Sequence, residues 1–189
     1  DVVFIATPCE SFSVAHRPQL RSRKQPDGLQ NAPPEWAAYL RKHNALAAWS
    51  AQLAAAADEA GAAWAIENPA DRGDRASDAH WERYSDHAPL WLSTPMRELE
   101  KATGARRRTF AQCALGGRSQ KWTTLLHSAG WAQLGAFDAL GCPHGMEKHA
   151  ELAHGRDAAG RGLAKLAAAY PPAMNELIAE AAAGWVRGR

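Results

Sequence analysis

The sequence predicts an α/β fold, a mostly parallel sheet flanked by helices. Two observations carry this. Val2-Val3-Phe4-Ile5 and the run at 62–66 are short apolar segments of the kind covered on both faces of a sheet. Between them lies a stretch rich in Ala, Leu, Trp and charge, long enough for a helical crossover, and strands joined by such a crossover run parallel.

The first strand is predicted at 1–6, followed by a loop over 7–34 punctuated by Pro8, Pro18, Pro26, Gly28, Pro33 and Pro34. A helix is predicted over 35–60, with Leu40, Leu46, Trp49 and Leu53 at helical spacing and Gly61 just past its end. The second strand, 62–66, is ended by Glu67-Asn68-Pro69. Residues 70–88 are polar and read as loop. Thr94-Pro95 opens a helix that Gly104 closes. Residues 109–115 and 122–126 read as a hairpin-like strand pair around Gly116-Gly117. A short helix is predicted over 131–140, a Gly- and His-rich loop over 141–162, and a last helix over about 171–185 behind Pro171-Pro172.

A length of 189 residues suits one domain, 1–189. The chain opens inside a strand with Asp1 and reads as part of something longer. A net charge of +2 gives no global basic field, although Arg17, Arg21, Arg23 and Lys24 cluster, as do Arg106, Arg107 and Arg108. Clusters this short are commonly solvated loops and faces. Three cysteines, Cys9, Cys113 and Cys142, show no pairing pattern, which points to a reducing, intracellular compartment. No signal peptide or membrane-spanning run is expected.

In parallel sheets ligands sit beyond the carboxyl ends of the strands. Cys9 and Glu67 each follow such an end, so both are expected to face one crevice. A thiolate can add to an electron-poor ring carbon. A carboxyl group kept protonated by burial can protonate the ring nitrogen and make that carbon electrophilic. Taken singly, each residue also has a plain reading: Cys9 as a small buried hydrophobe, Glu67 as a loop cap.

The stretch TPCESFSVA at 7–15 resembles the Pro-Cys-Gln-x-Phe-Ser-x-Ala motif of cytosine-5 DNA methyltransferases, with Glu10 in place of Gln. Ile66-Glu67-Asn68-Pro69 resembles the family's Glu-Asn-Val motif, with Pro69 in place of Val. Ala169-Tyr170-Pro171-Pro172-Ala173-Met174 looks like the proline turn before the family's terminal helix, and the order along the chain agrees. QCALGGRSQKWT at 112–123 looks like a segment of methylase-like proteins of mobile elements.

The resemblance implies the carboxyl-terminal part of a methyltransferase-like, Rossmann-like fold, and methylation of a flipped cytosine in DNA at carbon 5 with S-adenosylmethionine. It implies Cys9 as the nucleophile on carbon 6 and Glu67 as the residue at N3 and the exocyclic amine. Pro8 would fix the turn and Asn68 the loop, with Ser13, Arg118 and Lys121 also near substrate. Pro69, Tyr170 and Pro171 fall to the cofactor. Arg17 and Arg21 suit phosphate contacts beside an extruded base. The family's glycine-rich cofactor loop precedes its Pro-Cys motif, and no Gly-x-Gly lies upstream of Cys9, so the main cofactor loop is expected outside this chain. A nuclear location would follow from a DNA partner.

Two other readings stay open. One is a catalytically decayed, nucleic-acid-binding methylase remnant of a mobile element. The other is a zinc-stabilised interaction domain, because Cys142, His144, His149 and His154 could hold a metal, though a loop of solvated histidines explains them as well. Asp71, Asp74 and Asp78 read as a solvated face rather than a divalent-metal site. Trp36, Trp49 and Trp64 read as core. Trp81 and Trp91 read as packing beneath a loop, with base stacking as the alternative.

Overall fold

A computed structural model describes residues 1–144, 149 and 168–189. Four strands form one sheet: β1 (Val2–Ala6), β2 (Ala63–Pro69), β3 (Arg106–Ala111) and β4 (Trp122–His127), in the order β1-β2-β4-β3. Among the described residues three helices flank it: α1 (Ala37–Glu59), α2 (Thr94–Thr103) and α3 (Pro172–Arg187). No helix among the described residues is long and apolar enough to cross a membrane.

The sheet is mixed, which corrects the expectation of a mostly parallel one. β1 and β2 are parallel, with Ala6 beside Glu67, as the α1 crossover requires. β4 runs antiparallel to both β2 and β3. Its tight return from β3 through Gly116-Gly117 imposes that direction. At Gly117 an added Cβ would lie 2.8 Å from the Gln112 carbonyl oxygen, so only glycine lets the chain fold back this closely.

Local boundaries also differ from expectation. β2 continues through Glu67 to Pro69 instead of stopping before them. Pro69 is tolerated because pairing with β1 has already ended at Glu67. β3 starts earlier, at Arg106, because this edge strand leaves its charged residues outside, and residues 112–115 form a 3₁₀ turn. The segment expected to be a helix over 131–140 is a 3₁₀ stretch, Ala132–Phe137, with Gly135 inside it.

Alternation along β2 divides the core into two layers. Trp64 and Ile66 pack with Ile5, Leu126, α1 and α2. Ala63 and Ala65 face the other way, toward Leu125, Trp131, Phe137 and Met174 and Ala181 of α3. By the same parity Glu67 lies on the α3 side and Asn68 on the α1 side. The buried stripe of α1 is Leu40, His43, Ala47, Ser50, Ala51, Ala54 and Ala57. The expected stripe through Trp49 is displaced: Trp49 is 59% exposed, because the alanine face lets the helix approach the sheet closely. Trp64 and Trp91 are buried, as expected for packing residues. Gly104, at φ 63°, ends α2 in the left-handed conformation that its Gly predicts.

The loop over 7–34 is anchored by buried polar groups. The imidazole of His87 accepts from the Arg72 backbone N–H at Nδ1 (3.1 Å) and donates from Nε2 to the Phe12 carbonyl (2.8 Å). Burial pushes His87 below its ordinary pKa, against the opposing pull of the Phe12 hydrogen bond and Asp71. Burial does the same at His43 and His127. These histidines are neutral when folded, so the stability they contribute is fully present above about pH 6.5 and is lost as pH falls through the depressed folded-state values. Urea midpoints measured in chelator should drop between pH 7.5 and pH 5, with a shallower drop in His87→Gln; an unchanged midpoint would contradict the neutral assignment.

Candidate active site

Cys9 sits three residues past β1, at the entrance of the 3₁₀ turn Glu10–Phe12, and is half-buried. Its carbonyl accepts the Phe12 N–H (2.9 Å). The turn is held from beneath. Asn68 Nδ2 donates to the Thr7 carbonyl (2.7 Å), the Thr7 hydroxyl donates to Ser50 Oγ (2.9 Å), and Ser50 donates to the Leu46 carbonyl (2.9 Å). Pro8 is exposed between this anchor and Cys9. Asn68→Ala leaves the buried Thr7 carbonyl without this donor. The expected cost is about 1–3 kcal/mol, read by denaturant unfolding; a loss below about 0.5 kcal/mol would show that the anchor is weak.

Glu67 is 6% exposed. Tyr170 donates its hydroxyl proton to Glu67 Oε2 (2.8 Å), while Oε1 is buried with no partner among the described residues. Burial raises the Glu67 pKa, with the Lys121 charge and the Tyr170 hydrogen bond opposing. Burial also raises the Cys9 pKa; the Glu67 charge adds to this, and Lys121 works against it. Cys9, Glu67 and Lys121 therefore share one electrostatic environment. The Lys121 ammonium lies 5.3 Å from the centroid of the Tyr170 ring, and the same ring meets Phe4 edge-on at 6.4 Å. Tyr170 is pushed strongly upward by burial and then by Glu67, so it stays a protonated donor.

The other residues singled out by sequence divide by position. The Ser13 hydroxyl accepts the Ala15 N–H (3.1 Å). Arg17 is exposed and holds its own loop through the Val14 and His16 carbonyls (2.8 and 2.7 Å). Arg21 is buried at 2% exposure. It donates to Ser11, the Pro26 carbonyl and Asn44, and stacks 3.9 Å over Phe12. Arg21 thus braces the loop from inside and does not present its guanidinium to a phosphate. Arg118 is exposed in the turn before β4. Arg107 pairs with Glu100 (2.6 Å) and Arg108 pairs with Asp138. A cleft between the 11–21 loop and residues 83–88, edged by Ser13, Arg17 and Arg83, does not include Cys9 or Glu67.

The residues assigned to S-adenosylmethionine are otherwise engaged. The Pro69 carbonyl accepts from Trp91 Nε1 (2.9 Å), Tyr170 binds Glu67, and Pro171 is buried where its carbonyl accepts the Met174 N–H (2.9 Å) at the start of α3. Cys142, His144 and His149 come together with Cys113, which spacing alone did not connect to them. His154 lies outside the described residues. The unpaired cysteine count and the tight Gly116-Gly117 return were the sequence signals for Cys113.

No protein-family model, curated protein or solved structure matches the chain.

Proposed function

We propose that this chain carries the base-activating residues of a cytosine-5 DNA methyltransferase of Rossmann-like type. The observation that supports it is a half-exposed Cys9 on which the Glu67 charge acts, with a buried Glu67 whose Oε1 has no partner among the described residues. With its pKa raised, Glu67 holds a proton for ring nitrogen N3, and when neutral it also removes a like charge from beside the thiolate.

The Cys9 proton leaves to solvent and the sulfur lone pair forms a bond to carbon 6. The C5–C6 π electrons move through the ring toward N3, which takes the Glu67 proton, and carbon 5 becomes nucleophilic. After carbon 5 gains its substituent it loses its proton to solvent, the C5–H electrons re-form the C5–C6 double bond as the C6–S bond breaks and Cys9 leaves as the thiolate, and N3 returns its proton to Glu67. Tyr170 and Lys121 orient the carboxyl and stabilise the ionised forms. S-adenosylmethionine would supply the methyl group, with Pro69, Tyr170 and Pro171 on its side of the site. Arg17 and Arg118, exposed on the flanking turns, suit the phosphates of an extruded strand. A DNA partner makes a nuclear location part of the proposal.

The test is capture of 2-pyrimidinone, a cytosine analogue that traps an added thiol, placed in DNA of randomised flanks. A denaturation-resistant adduct mapped to Cys9 is expected. An adduct on Cys113 or Cys142, or none, would overturn the proposal. No adduct together with retained DNA affinity is the outcome expected of the non-catalytic remnant.

A further inference from the structure

We infer that Cys113, Cys142, His144 and His149 form a structural zinc site, independent of the reading of Cys9 and Glu67. The four candidate ligand atoms lie within 4.8 Å of one another. Cys113 and Cys142 sulfurs are 3.4 Å apart, and Cys142 Sγ is 3.3 Å from His149 Nε2. The His144 and His149 rings meet at 5.0 Å between centroids. Zinc bonds of about 2.3 Å to sulfur and 2.0–2.1 Å to nitrogen give a tetrahedron with edges of roughly 3.3–3.8 Å. The two sulfur distances lie within about 0.4 Å of those edges, and the widest separation closes with a shift of less than about 1 Å per ligand.

The fold brings these residues together on purpose-built supports. Cys113 stands in the 3₁₀ turn directly after β3. The Ala111 N–H donates to the Leu140 carbonyl (2.8 Å), which lays the chain beside that turn and delivers Cys142. Cys113 packs with Ala70, Ala79, Ala111 and Trp122, with Cys142 against them, so the sulfurs sit over an apolar floor. His149 Nδ1 is buried without a partner among the described residues, and its other ring nitrogen faces Cys142.

Two thiolates and two neutral imidazoles are the ligand set of a closed, four-coordinate zinc site, which leaves no position for a reacting water. The ion would join Cys142, His144 and His149 to the turn after β3, at the end of the sheet where β2 ends. Binding releases the two thiol protons to solvent and changes no oxidation state.

The experiment measures metal in the full chain purified under reducing conditions. About one zinc per chain is expected, along with the visible absorption of tetrahedral cobalt thiolate after exchange with Co²⁺. Cys113→Ser and His144→Ala should each reduce the zinc content to near zero. His144 is the most exposed ligand, so its replacement keeps the fold testable by circular dichroism. Folded wild-type chain that neither retains zinc nor gives the cobalt spectrum would overturn the proposal. Full zinc content in Cys113→Ser would do the same, as would loss of metal from His154→Ala with retention in His144→Ala.

Discussion

Glu67→Gln is expected to slow capture of a 2-pyrimidinone base by about 10²- to 10⁴-fold, the range that a positioned proton donor contributes. The amide is nearly the same size, can still accept from Tyr170, and cannot hand a proton to N3. Stability should move the other way. Glu67 has a raised folded-state pKa, so its favourable contribution belongs to low pH and is lost as pH rises through that value. Removing the titration should leave the neutral-pH melting temperature unchanged or higher. Slower capture with equal or greater stability would separate a chemical role from a structural one. An unchanged capture rate would take Glu67 out of the chemistry.

Cys9→Ala should reduce capture to background while leaving the fold intact. The side chain is half-buried, donates no hydrogen bond to the loop, and the turn is held instead by its backbone carbonyl and by Asn68. Removing one sulfur from such a position is expected to cost less than about 1 kcal/mol. Capture and DNA affinity should separate: the first is lost and the second retained. Residual capture above a tenth of the wild-type rate would mean that another group attacks the ring.

Much of this site was legible because it depends on local patterns. The apolar run before Pro8-Cys9 gave β1, the Ala- and Leu-rich stretch gave α1, and two consecutive strand ends placed Cys9 and Glu67 at one end of the sheet. What was not legible depends on contacts distant in sequence. The Tyr170 hydroxyl reaches Glu67 across 103 residues, and nothing local to either announces the bond. Arg21 looks in sequence like its exposed neighbour Arg17; only the Ser11, Pro26 and Asn44 partners reveal it as a buried brace. The antiparallel β3–β4 pair was legible in the Gly116-Gly117 return, whereas the pairing of β4 against β2, which makes the sheet mixed, joins segments distant in sequence and was not. Trp49 has the right helical spacing, but small alanines won the buried face.

The account rests on a thiol and an acid that feel each other's charge. The direct measurement is the pH dependence of Cys9 alkylation, followed by peptide mass spectrometry, in wild type and Glu67→Gln. Above its raised pKa Glu67 is ionised and its charge raises the Cys9 pKa, so in that range the substitution should shift the alkylation curve to lower pH. Superimposable curves would show that the two groups do not share a site.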